Sequence, residues 1–175
     1  LDAEKLSRLA ADLFYGWGYN FYRLENQLRA DDLLVRARLG ELLIAARQSV
    51  EAAEAGYRRE HLPPPSRARP RPDPGAVQDA QTLESLAREI GALEGHVRAL
   101  PAPEPDRMAQ RFHREADGLS RLVEADTAMV GHAEFLRSLL AGTDAAWMLA
   151  NLAELRAQIV AMEAAVQGRR DLLGL

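Results

Sequence analysis

Apolar residues recur at three- and four-residue intervals along almost the whole chain, and nowhere do apolar and polar positions alternate strictly as a half-buried strand requires. Leu83, Leu86, Ile90, Leu93, Val97 and Leu100 form one such stripe, and Met148, Leu152, Leu155, Ile159, Met162 and Val166 form another. Between them a third runs through Met108, Phe112, Leu119, Leu122, Met129, Ala133, Leu136 and Leu140, broken where Asp126 takes a stripe position. Each stripe predicts a helix with one apolar face.

The N-terminal stripe is the longest. Leu6, Ala10, Leu13, Trp17, Phe21, Leu24, Leu28, Val35, Leu39, Leu42, Ala46, Val50, Ala53 and Tyr57 keep a single helical phase. One helix over residues 3–60 would be about 87 Å long, at about 1.5 Å per residue. Gly16, Gly18, Asp31 and Asp32 are poor interior helix formers, so a bend near Gly16 to Gly18 is expected, leaving a short N-terminal helix and a long one over 19–60.

Prolines divide the chain. Pro63, Pro64, Pro65, Pro70, Pro72 and Pro74 exclude a helix there, since proline lacks the amide donor and clashes with the preceding turn. The Pro/Arg-rich segment at 62–75 therefore reads as an internal linker, of which residues 63–74 could reach about 37 Å if extended in polyproline form. A shorter break follows at Pro101, Pro103 and Pro105, with a helix expected over 105–141. Gly142, Thr143 and Asp144 read as a helix stop followed by an N-cap. The expected fold is all-α: one domain over 1–175, an elongated antiparallel four-helix bundle with coiled-coil-like seams and a bend or short extra helix at the N-terminus. A long dimeric coiled coil fits the same stripes.

Composition narrows the chemistry. The 175 residues include no cysteine, which excludes disulfides, thiolate nucleophiles and Cys-ligated zinc. Lys5 is the only lysine among 22 basic residues, an arginine skew that fits a GC-rich bacterial genome. Net charge is −4, with residues 1–75 at +1 and the remainder at −5. The one basic stretch, Arg58, Arg59, Arg67, Arg69 and Arg71, lacks interleaved aromatics apart from Tyr57, so nucleic acid is not an expected partner. No run of about 18 apolar residues predicts a membrane span. The expected compartment is the cytoplasm, or an exported or periplasmic one if a segment upstream of Leu1 has been removed.

Metal and hydrolytic sites find little support. The residues three before His61, His96, His113 and His132 are Arg58, Leu93, Gln110 and Met129, so the Glu-x-x-His pairs of carboxylate-bridged metal bundles are missing. Glu51 with Glu54, or Glu115, Asp117, Glu124 and Asp126, are candidate acidic clusters for a metal-dependent hydrolase, but solvated helix faces account for most of them. His113 and Asp117 read as an exposed charge pair, and the four methionines as seam residues. Neither a metal nor a cofactor is expected, and no catalytic residue is nominated. Asp31 and Asp126 interrupt apolar stripes. Either Asp31 caps a helix after a hidden turn, or both aspartates meet seam arginines such as Arg38 or Arg137 in a polar layer that sets register.

The most distinctive surface lies near the N-terminus. Six of the ten aromatic residues, Phe14, Tyr15, Trp17, Tyr19, Phe21 and Tyr22, fall within nine positions. On a helical wheel Phe14, Trp17 and Phe21 continue the core stripe. Tyr15, Tyr19 and Tyr22 lie about 160° away, beside Arg8, Asp12, Asn26 and Arg29. Tyrosine and arginine are enriched in interface hot spots, so Tyr15, Tyr19, Tyr22, Arg8, Asn26 and Arg29 are the candidate partner- or ligand-binding residues. Three covers are open for the tyrosine face: the basic proline linker folding back with Arg67, Arg69 and Arg71, a protein partner or second copy, or a small molecule. The expected function is a non-enzymatic interaction or scaffold protein. A ligand-sensing bundle, the sensory part of a bacterial receptor, is the competing expectation.

Overall fold

A computed structural model describes residues 2–19, 28–67, 70–100 and 116–172, with only the helical backbone described at 28–30 and 116–119. Among these residues the chain is all-helical, with no strand. Its helices are α1 (Ala3–Trp17), α2 (Leu28–His61), α3 (Pro74–Arg98), α4 (Ala116–Leu140), α5 (Ala145–Ala150) and α6 (Leu152–Leu172).

The ends of these helices follow local chemistry. Asp73 accepts the amide of Ala76 at 2.8 Å with Pro74 opening α3, and Asp144 accepts the amide of Trp147 at 2.8 Å to start α5. At the other end of α4 the chain turns through Gly142. Asn151 separates α5 from α6, its side-chain amide donating to the Trp147 carbonyl, so the stripe expected to run unbroken from Met148 crosses a short break.

The N-terminal stripe is also divided, by a Schellman turn in place of a bend. Gly18 takes φ 72°, its amide donates to the Tyr15 carbonyl, and the Tyr19 amide reaches back to the Phe14 carbonyl at 3.1 Å. A left-handed residue is cheap only without a side chain, so α1 stops here and the helical phase stops with it. The long second helix, expected from 19, is described from Leu28. Residues 101–115 lie outside the described part, so Met108 and Phe112 of the third stripe are not placed.

The apolar faces meet in one core. Phe14, Val35, Leu39, Leu43, Leu83, Ile90, Leu93, Leu122, Met129, Leu136, Leu140, Met148, Leu155 and Met162 are all buried in it. α2 packs along α3 and against α4, α6 packs against α4 and α3, and α1 lies on α4. The α1–α4 crossing is close. A methyl group on Gly131 would stand 2.7 Å from the backbone oxygen of Leu6, so glycine is required there for the two helices to approach. No helix among the described residues is long and apolar enough to cross a membrane.

Candidate functional site

A buried charged layer crosses the core where α2, α4 and α6 meet the chain leaving α1. Arg169, in the last turns of α6, donates from Nε to Asp126 Oδ1 of α4 at 2.6 Å and from Nη2 to Asp32 Oδ1 of α2 at 2.8 Å. Tyr19 donates its hydroxyl to the second oxygen of Asp126 at 2.8 Å. Arg36, one turn along α2, pairs with Asp32 Oδ2 at 2.6 Å and donates to the Leu100 carbonyl. The side chains of Asp32, Asp126 and Arg169 are wholly inaccessible to solvent, and Asp31 beside them is also buried.

Positions explain why these residues are inside. Asp126 falls between Leu122 and Met129, Asp32 precedes Val35 and Leu39, and Arg169 follows Ile159, Met162 and Val166, each at three-four spacing. Each therefore occupies a seam position and is carried inward by the apolar residues around it. An isolated buried charge is very costly, and a bridged set is tolerated because every charge meets its opposite. Even so, burial pushes the Asp32 carboxyl above the ordinary carboxylate range, against the opposing pull of Arg169 and Arg36.

A polar layer forms around Asp126, with Asp32 as its second carboxylate and with arginines other than Arg38 and Arg137. Arg38 pairs with Glu41 one turn away at 2.7 Å, and Arg137 forks onto Glu134 at 2.7 and 2.6 Å. Both are local helix-surface pairs, because the seam phase of α2 and α4 excludes them from the core. Asp31 does not cap a helix start, since it lies inside α2. Arg169, Asp32 and Arg36 are members that the sequence reading does not nominate. The available signal was Arg169 continuing the 159–162–166 stripe.

Tyr15 and Tyr19 do not share one exposed face. Tyr15 projects into solvent with 93% of its surface exposed, whereas Tyr19 is 5% exposed and stacks on Phe14 with ring centroids 4.4 Å apart. The turn at Gly18 is the reason: beyond it a helical wheel no longer applies, and Tyr19 swings to the core side. Tyr19 is thus covered by its own chain, through Phe14 and Asp126. Arg8 shares the outer side of α1 with Tyr15 and is ion-paired to Glu4. Tyr22 and Asn26 lie outside the described residues, as does the side chain of Arg29.

Of the acidic candidates, Glu51 and Glu54 pair with Arg47 and Arg58 one turn away. Glu124 is exposed on α4, while Glu115, His113 and the side chain of Asp117 lie outside the described residues. Among the described residues no group of three or more His, Asp or Glu is arranged to hold a metal ion. Comparison with protein-family models, curated proteins and solved structures finds no match to this chain.

Proposed function

We propose that this protein is a non-enzymatic helical-bundle scaffold that acts through protein contacts, with the outer face of α1 as its contact surface and a second copy of the chain as the partner. In this reading α2, α3, α4 and α6 form a single antiparallel four-helix bundle with coiled-coil-like seams, and α1 rides outside it on α4. The helix contacts support that arrangement, since α2 touches α3 and α4, and α6 touches the same two.

The observation that carries the proposal is Tyr15, 93% exposed on a helix whose other side is buried through Leu6, Ala10 and Phe14. A large amphipathic ring left in water on a packed helix is a natural interface anchor. The charges beside it are self-complementary. Glu4, Arg8 and Asp12 follow one another at four-residue intervals on that side, so an antiparallel copy centred near Ala10 sets Arg8 of each chain against Asp12 of the other. The same operation lays Tyr15 over Lys5 of the copy, a cation–π arrangement. The Arg8–Glu4 pair on one chain is solvent-exposed and worth little, so exchanging it costs little. By contrast, the side chains of Arg169, Asp32 and Asp126 are closed to solvent and paired with one another, which supports a structural role for this charged layer.

Sedimentation velocity tests the reading. A dimer is expected for the wild-type chain, weakened by Tyr15→Ser and by Arg8→Asp and restored when Arg8→Asp is combined with Asp12→Arg. A wild-type monomer at high micromolar concentration, or a dimer indifferent to all three variants, overturns it.

A further inference from the structure

At the opposite end of α2 from the charged layer, the chain leaving His61 and the start of α3 border an open cleft of about 590 Å³. Asp32 and His61 are 29 positions apart in one helix, about 44 Å at 1.5 Å per residue, so this cleft is remote from both the charged layer and the region where Tyr19 meets α4. Its apolar surface comes from Leu62, Pro63, Pro64, Pro65, Pro72 and Val77, and its polar groups are Arg58, His61, Arg71 and Asp73. The volume falls within the range of small-molecule sites, and an apolar lining with a few fixed polar groups is their usual composition.

The polar groups are not equivalent. Arg58 is engaged by Glu54 and Glu84, and Asp73 is committed to the Ala76 amide at the N-terminus of α3, whose dipole favours its charge. The His61 ring packs at a tilt against Tyr57, centroids 4.3 Å apart, with its Nε2 3.9 Å from the Glu60 carboxylate, and Tyr57 is itself fixed by donating its hydroxyl to Asp79 at 2.8 Å. Arg71 forms no ion pair or hydrogen bond with any described residue. The cleft thus combines a rigid apolar surface, since proline rings have no rotamer freedom to lose, with one positioned imidazole and one guanidinium whose donors are open.

We propose that this cleft binds a small aromatic anion, an aryl carboxylate or aryl sulfonate, with its ring against the prolines and Val77 and its anionic group on Arg71 beside His61. A planar guanidinium matches a carboxylate through two parallel donors, so Arg71 takes the anionic group while the ring lies on the prolines and Val77. A dianionic phosphate compound fits less well, because Arg58 is already neutralised and Asp73 stands on the lining.

The probe is 1-naphthoate, titrated into the full chain and followed by proton–nitrogen NMR. Saturable one-to-one binding is expected, with shifts confined to residues 57–65 and 71–77. Arg71→Ala, an exposed substitution that leaves the fold intact, weakens binding by about tenfold to a hundredfold, the range of a charge-assisted hydrogen bond, and Arg71→Lys retains part of it. The neutral analogue 1-naphthalenemethanol binds weaker by a similar factor, and Tyr15→Ser leaves naphthoate binding unchanged. No saturable shift in the low-millimolar range overturns the proposal. Equal binding of acid and alcohol, or binding indifferent to Arg71→Ala, overturns the anion recognition on which it stands.

Discussion

Arg169 Nη2 lies 2.8 Å from Asp32 Oδ1, across 137 residues of sequence and with neither side chain reached by solvent. Through that contact and the one to Asp126, a single guanidinium joins the last turns of α6 to α2 and α4. It is the kind of interaction whose removal and whose replacement have opposite consequences.

Substituting Asp126 with Leu strands part of the Arg169 charge and takes the acceptor from Tyr19. The expected cost is about 3–5 kcal/mol, the range for breaking a buried pair from one side. Adding Arg169→Met should recover much of it, because Asp32 keeps Arg36 and the new side chains pack in an apolar seam. Urea denaturation of the wild type, both single variants and the double variant measures the coupling. Additive losses would show that the layer is not an energetic unit.

Tyr19→Phe keeps the stack on Phe14 and removes only the hydroxyl donated to Asp126. A loss of about 1.5–3 kcal/mol is expected, the range for a hydrogen bond to a charged group. An unchanged denaturation midpoint would mean that Tyr19 acts through its ring alone.

Gly131→Ala places a methyl against the Leu6 backbone, which cannot swing aside as a flexible side chain would. Overpacking of this kind costs about 1–3 kcal/mol, and here it falls on the α1–α4 crossing. Hydrogen exchange should accelerate in α1 more than in α3. Gly95→Ala serves as the control, since a methyl there meets no atom within 4 Å and removes a helix-interior glycine, so it should stabilise by about 0.4–1 kcal/mol.

His132 supplies a pH signature. Burial pushes its imidazole below the ordinary value of 6.5, a shift opposed by the Gln158 side chain, whose carbonyl can accept from the protonated ring. The folded chain therefore binds fewer protons at this site than the unfolded chain. Its stabilising contribution is complete above the unfolded value and is lost progressively as the pH falls below about 6.5, levelling once the folded site also protonates. Stability measured between about pH 7 and pH 5 should decline less in His132→Leu than in the wild type. Identical slopes would place His132 outside this balance.

The helical stripes were legible because a 3.6-residue repeat is a local property. Leu83 to Val97 and Leu155 to Val166 needed no knowledge of their partners to be recognised as buried faces. Asp144 was similarly readable as a cap, since an N-cap oxygen bonds an amide two or three residues ahead. The candidate surface around Tyr15 was less legible. A wheel carried through Gly18 placed Tyr19 with Tyr15, and one residue with φ 72° separated them.

The sequence by itself determined an all-helical chain, its apolar faces, the cap at Asp144 and its proline break, all set by interactions within a few residues. It also showed that carboxylates interrupted two seams. Tertiary structure alone decided that Asp126 and Asp32 share Arg169, that Tyr19 closes over them, and that α1 crosses α4 at Gly131. The physical reason is burial: a charge on a seam demands a partner, but which partner depends on helices that meet only after the chain has folded.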